Sequence, residues 1–108
     1  MLHTEKFNAE GLAELRILLV EDNEHDCIAF TRVMRAWIHP YTIHCCERAS
    51  EALALLGATP LAFDIIVIDY SLPDDNGLTV CRTLFERQTR APVVLLTGSG
   101  NEQIAVEA

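Results

Sequence analysis

The sequence has no long apolar run, no signal-peptide core and few basic residues, and each shortage removes a class of function. Nothing approaches the roughly 18 consecutive apolar residues that a membrane-spanning helix needs. The start of the chain, Met1 to Glu14, is polar and acidic where a secretory leader would be apolar. A soluble, cytoplasmic protein with no membrane partner is expected. Basic residues number 8 against 16 acidic ones, for a formal charge of −8. Such a chain repels phosphate backbones and anionic lipid, so direct nucleic-acid binding is not expected. The four cysteines, Cys27, Cys45, Cys46 and Cys81, show neither CxxC nor Cys/His ligand spacing. They read as reduced packing thiols, with adjacent Cys45 and Cys46 facing opposite sides of a strand. His25 and His44 have no partner at ligand spacing and are given no role. There is no GxxxxGK[ST] loop, internal repeat or low-complexity tract.

What remains is a chain of 108 residues, half of them apolar, which is enough for one core and leaves no room for a second domain. The apolar residues fall into short blocks. Arg16 to Val20 has no alternation and runs straight into Glu21, Asp22 and Asn23, the pattern of a buried parallel strand ending in a polar turn. Glu24 to Trp37 has helical spacing, with Asp22 or Asn23 as cap, Phe30, Met34 and Trp37 as a core stripe, and His39 and Pro40 as the stop. A strand over Tyr41 to Glu47 is followed by a helix over Ser50 to Leu56, capped by Ser50 and closed by Gly57.

Asp64 to Tyr70 is the strongest strand, four branched apolar residues closed by an acid, and Ser71 to Asn76 is turn chemistry in which Asp74 and Asp75 read as loop solvation. Gly77 to Gln88 reads as a third helix and Pro92 to Thr97 as a fourth strand. A small-residue turn then leads to a helix capped by Asn101, still unfinished at Ala108. Strands alternating with helices across short connections predict an α/β parallel sheet with right-handed crossovers. Residues 1–15 are expected to be an extension or linker and 16–108 the folded unit.

Ligands of such sheets bind beyond the carboxyl ends of the strands, where Glu21, Asp22, Asp69 and Thr97 are brought together. Crowded carboxylates stay ionised only beside a compensating cation, and hard oxygen ligands suit Mg²⁺. An ionised Asp69 on a rigid strand beside that ion suits nucleophilic attack on a phosphoryl group, with Thr97 placed to hydrogen-bond a phosphoryl oxygen.

Glu21 and Asp22 after strand one, Asp69, Tyr70, Ser71, Leu72 and Pro73 through Gly77 after strand three, and Thr97 and Gly98 after strand four together resemble the receiver domain of two-component response regulators. The resemblance covers about Arg16 to Ala108. It implies a flavodoxin-like doubly wound sheet of order 2-1-3-4-5 and a signalling switch rather than a metabolic enzyme. A histidine kinase or phosphotransfer protein would be its partner. It also implies Asp69 as phosphoacceptor, Asp22 as principal Mg²⁺ ligand assisted by Glu21 and the Ser71 carbonyl, Thr97 as switch hydroxyl and Gly98 as its small neighbour.

The departure is at the end. The family's fifth strand, which closes on a lysine, is expected beyond Ala108, leaving order 2-1-3-4, no last helix and a strand-four edge open to self-association. Two alternatives stand beside the phosphoacceptor. One is a receiver-like interaction module that works without phosphorylation. The other is an aspartate-nucleophile phosphohydrolase, which would want a second acid where Ser71 stands.

Overall fold

A computed structural model describes residues 13–97 and 103–107, and in it the apolar run after Glu14 is strand β1 (Leu15–Val20), whose last four residues are buried. A run without polar alternation has no face to offer water, so it takes the middle of a sheet covered on both sides. The chain continues through α1 (Glu24–Met34), β2 (Tyr41–Cys46), α2 (Ala49–Ala58), β3 (Ile65–Asp69), α3 (Gly77–Glu86), β4 (Val93–Thr97) and β5 (Gln103–Glu107). The sheet order is β2-β1-β3-β4-β5. Its first four strands are parallel, with Leu19 between Cys45 and Val67, and Asp69 opposite Leu96. The doubly wound, flavodoxin-like α/β arrangement of strands 2-1-3-4 is therefore the one the sequence indicates.

Strand alternation divides the core in two. On one face Leu18, Val20, Ile66, Ile68, Val93 and Leu95 meet Ala49, Ala52 and Leu56 of α2 and Val80, Cys81 and Leu84 of α3. On the other, Ile17, Leu19 and Val67 meet Cys27, Phe30 and Met34 of α1. Trp37 does not continue that stripe. α1 ends at Met34, and Trp37 sits beyond it, half exposed, with its ring tilted against His39. Cys45 is exposed and Cys46 buried, the opposite facing expected of neighbours on a strand.

Besides the end of α1, three helix boundaries differ from the sequence reading. α2 begins at Ala49, so Ser50 is inside its first turn and does not cap it, and Gly57 lies within the last turn instead of after it. Asp74, read as a solvated loop acid, caps this helix from 25 residues away: its carboxylate accepts the amide N–H of Ala49 at 2.8 Å and of Ser50 at 2.9 Å. α3 stops at Glu86 because Gln88 takes a left-handed φ of 58°. The N–H of Gln88 then bonds the Phe85 carbonyl and that of Thr89 the Leu84 carbonyl, closing the helix in a Schellman turn.

The largest correction is at the end of the chain. Residues 103–107 form strand β5, not a helix, and pair antiparallel to β4 from Thr97↔Gln103 to Val93↔Glu107. A helical stub of two turns is marginal by itself, whereas the edge of β4 offers a row of unpaired backbone groups. Only residues 98–102 separate the two strands, and a parallel return needs a crossover of about a dozen residues or more, so the chain returns antiparallel. The edge of β4 is thereby covered, and the expected self-association through it loses its basis. Asn101, the expected helix cap, lies outside the described residues.

Candidate functional site

Each carboxylate of the site is fixed by the end of a central strand. β1 stops where Glu21 N–H bonds the Cys46 carbonyl at 2.8 Å, and Asn23 caps α1 by accepting the Asp26 N–H at 3.1 Å. Glu21 and Asp22 are held in the short turn between them. β3 ends on Asp69. The loop after it is tied back by the Tyr70 N–H to the Leu96 carbonyl (2.9 Å), the Gly77 N–H to the Tyr70 carbonyl (2.6 Å) and a bridge between Ser71 and Asn76. Gly77 is required here, because a Cβ would overlap the Asp69 carbonyl and the Leu95 side chain.

Glu21, Asp22 and Asp69 each bring one carboxylate oxygen to within 4.8 Å of the others. Glu21 is only 4% exposed, and its Oε2 is buried without a hydrogen-bond partner. Burial, then the charge and hydrogen bonding of Asp69, push the Glu21 carboxyl up to about 8. Burial also raises Asp69, against hydrogen bonds from Glu21 and the Ser71 N–H that lower it. With no cation present, the raised Glu21 carboxyl therefore holds a proton at neutral pH, facing Asp69. An orphaned buried carboxyl oxygen among clustered hard donors fits a divalent cation.

The structure brings Glu21, Asp22 and Asp69 together as the sequence suggests, and it turns the Ser71 amide toward Asp69. Thr97 ends β4 one residue past Leu96, the partner of Asp69 across the sheet. Its side chain and Gly98 lie outside the described residues. Two acids escaped the sequence reading. Asp26, on the first turn of α1, helps to raise the Glu21 carboxyl. Asp74 bridges the loop after β3 to α2. The run of acids over 21–26 was a signal for the first, while nothing local marks the second. The thiol of Cys27 donates to the Glu21 carbonyl at 3.6 Å and is pushed up to about 12 by burial and by Cys45, which fits a packing role. His25 and His44 are exposed and take no part in the site.

The chain is similar to known proteins over most of its length. It is 29% identical over 96 residues to the transcriptional regulatory protein ResD of Bacillus subtilis, covering 87% of this chain and 37% of that protein. It is 32% identical over 96 residues to the photosynthetic apparatus regulatory protein RegA of Cereibacter sphaeroides, covering 89% and 50%. This chain therefore spans half or less of these curated relatives. The fold is similar to the non-phosphorylated HemR receiver domain from Leptospira biflexa, with a TM-score of 0.65, 31% identity and coverage of 81% and 67%. It is also similar to the phosphorylated cyanobacterial phytochrome response regulator RcpA, with a TM-score of 0.72, 29% identity and coverage of 82% and 69%. The response regulator receiver domain family matches residues 17–108, and the chain belongs to that family.

Proposed function

We propose that this receiver domain is a phosphoacceptor and that Asp69 takes the phosphoryl group. The observation that carries the reading is the cluster itself: a strand-end aspartate beside a buried glutamate whose Oε2 has no hydrogen-bond partner. In the transfer, the P–N bond of a phosphohistidine on a histidine kinase or phosphotransfer protein breaks and a P–O bond to Asp69 Oδ forms. The imidazole leaves with the electron pair. Glu21, Asp22, Asp69 and the Ser71 carbonyl would hold Mg²⁺, which neutralises charge on both reactants. Asp69 is held in line by the paired end of β3, and the Ser71 N–H orients its carboxylate. The Thr97 hydroxyl would bond a phosphoryl oxygen, with Gly98 as its small neighbour. The domain acts as a switch whose only chemistry is its own phosphoryl transfer and dephosphorylation. We place it in the cytoplasm; among the described residues no helix is long and apolar enough to cross a membrane.

The alternative reading is an interaction module that works without phosphate. Labelling separates the two. With Mg²⁺ and a small acyl-phosphate donor, the protein is expected to become an acid-stable, base-labile phosphoprotein, and Asp69→Asn to remain unlabelled. Wild-type protein that stays unlabelled while binding Mg²⁺ would establish the second reading.

A further inference from the structure

We infer that Asp74 is a positioning residue for phosphoryl acceptance: by fastening the loop after β3 to the rigid start of α2, it fixes the backbone at Ser71 beside Asp69. This rests on the reading of Asp69 as the phosphoacceptor. The loop leaves β3 at Asp69 and enters α3 at Gly77. Its feet are joined by the Ser71–Asn76 bridge, by the Leu72 N–H to the Asp75 carbonyl at 3.1 Å, and by the Gly77 N–H to the Tyr70 carbonyl. Those bonds shape the loop but, being internal to it, do not set its angle to the sheet. Leu72 packs against the core and holds the loop down, and apolar contact of that kind has no direction.

Asp74 supplies the direction. Its two carboxylate oxygens accept different amides, those of Ala49 at 2.8 Å and Ser50 at 2.9 Å, and a charged two-point bond fixes an angle that a single bond would leave free. The far end is rigid, because Ala49 is 2% exposed and packs into the core with Val20 and Cys46. Asp75 behaves differently, turning its carboxylate to the Asn76 N–H inside the loop. Capping alone does not require so distant a residue. Arg48 already has the extended backbone of an N-cap, φ −131° and ψ 149°, where serine or aspartate would cap α2 locally. Drawing the cap from Asp74 makes the start of α2 and the loop one body, and the Ser71–Asn76 bridge carries that constraint to the residue two places after Asp69.

Moving the cap separates positioning from capping. Three proteins are compared with wild type well below their melting temperatures: Asp74→Ala, Asp74→Asn and the double variant Arg48→Ser/Asp74→Ala. Amide hydrogen exchange in EDTA reads the loop, and labelling by a small acyl phosphate with Mg²⁺ reads Asp69. In Asp74→Ala the Leu72 and Gly77 amides are expected to exchange about 10-fold faster, and labelling to slow about 10-fold. Asp74→Asn keeps an acceptor oxygen and is expected to stay within about threefold of wild type on both. In the double variant the new serine caps α2, so melting is expected to return to within about 1 °C of wild type while fast loop exchange and slow labelling persist. Labelling that recovers together with melting would mean that Asp74 only caps α2, and would overturn the positioning role. Wild-type labelling or unchanged loop exchange in Asp74→Ala would overturn it as well. A different failure, wild-type protein that takes no label, would overturn the reading of Asp69 and this inference with it.

Discussion

Glu21 is where the competing forces at the site are clearest. It is buried at the end of the most buried strand, beside an acid it repels, and the outcome without metal is a retained proton. Because its folded pKa, about 8, lies above the ordinary 4.5, the stability this proton contributes is full below about 4.5 and lost as pH rises through about 8. In EDTA, resistance to urea is expected to decline from about pH 5 to about pH 8.5. Glu21→Gln, neutral at every pH, is expected to flatten that decline and to exceed wild type at the alkaline end by on the order of 2 kcal/mol. If the decline persists unchanged in Glu21→Gln, another group carries it. Glu21 was legible as a strand-end acid. The influence of Asp26 on its carboxyl was not, because that depends on how the chain turns from β1 into α1.

Among the elements, α2 depends on a residue outside itself. Arg48 holds its N-cap position with no side-chain bond, and Asp74 supplies the missing acceptor. Those two amide bonds hold the Asp74 carboxyl below the usual carboxylate range. Asp74→Ala is therefore expected to lower the melting temperature by about 4 °C, with Asp74→Asn losing less because an amide oxygen still accepts. Equal melting of all three proteins would show the bridge to be incidental. The first four strands were legible because each is a short apolar block bounded by turn chemistry, so local pattern and burial agree. Helix ends were less so. Ser50 has cap chemistry, but the acceptor that starts α2 comes through space from Asp74 in the loop after β3. β5 was misread for a related reason: Gln103–Glu107 can be helix or strand by composition, and pairing with β4 decides.

At the scale of the molecule, two polar devices pin the central strands from opposite ends, and they titrate in opposite directions. At the carboxyl end is the acid pocket. At the other, the Arg16 guanidinium grips Asp64 at 2.9 and 3.1 Å, its own amide bonds the same carboxylate at 2.8 Å, and the Asp64 N–H returns to the Arg16 carbonyl at 2.7 Å. These bonds hold the Asp64 carboxyl below its usual range, so their stability is present above the ordinary value of about 3.9 and lost as pH falls through the folded one. The pair is partly exposed and its strength is screened accordingly. Stability in EDTA is thus expected to peak in mildly acid solution, limited by Asp64 below and by Glu21 above. On the proposed reading, Mg²⁺ would bind the folded pocket in place of the Glu21 proton. At about 100 times its dissociation constant it is expected to add roughly 2.7 kcal/mol at alkaline pH and to remove the upper limb while leaving the acid limb unchanged. Asp22→Asn is expected to lose the Mg²⁺ gain and keep the acid limb. Asp64→Asn is expected to do the reverse. Urea titrations of the three proteins across pH, with and without Mg²⁺, check this directly. A Mg²⁺ gain that shrinks in Asp64→Asn would show that the two ends of the sheet are coupled through β1 and β3, and that the acid pocket is not an independent site.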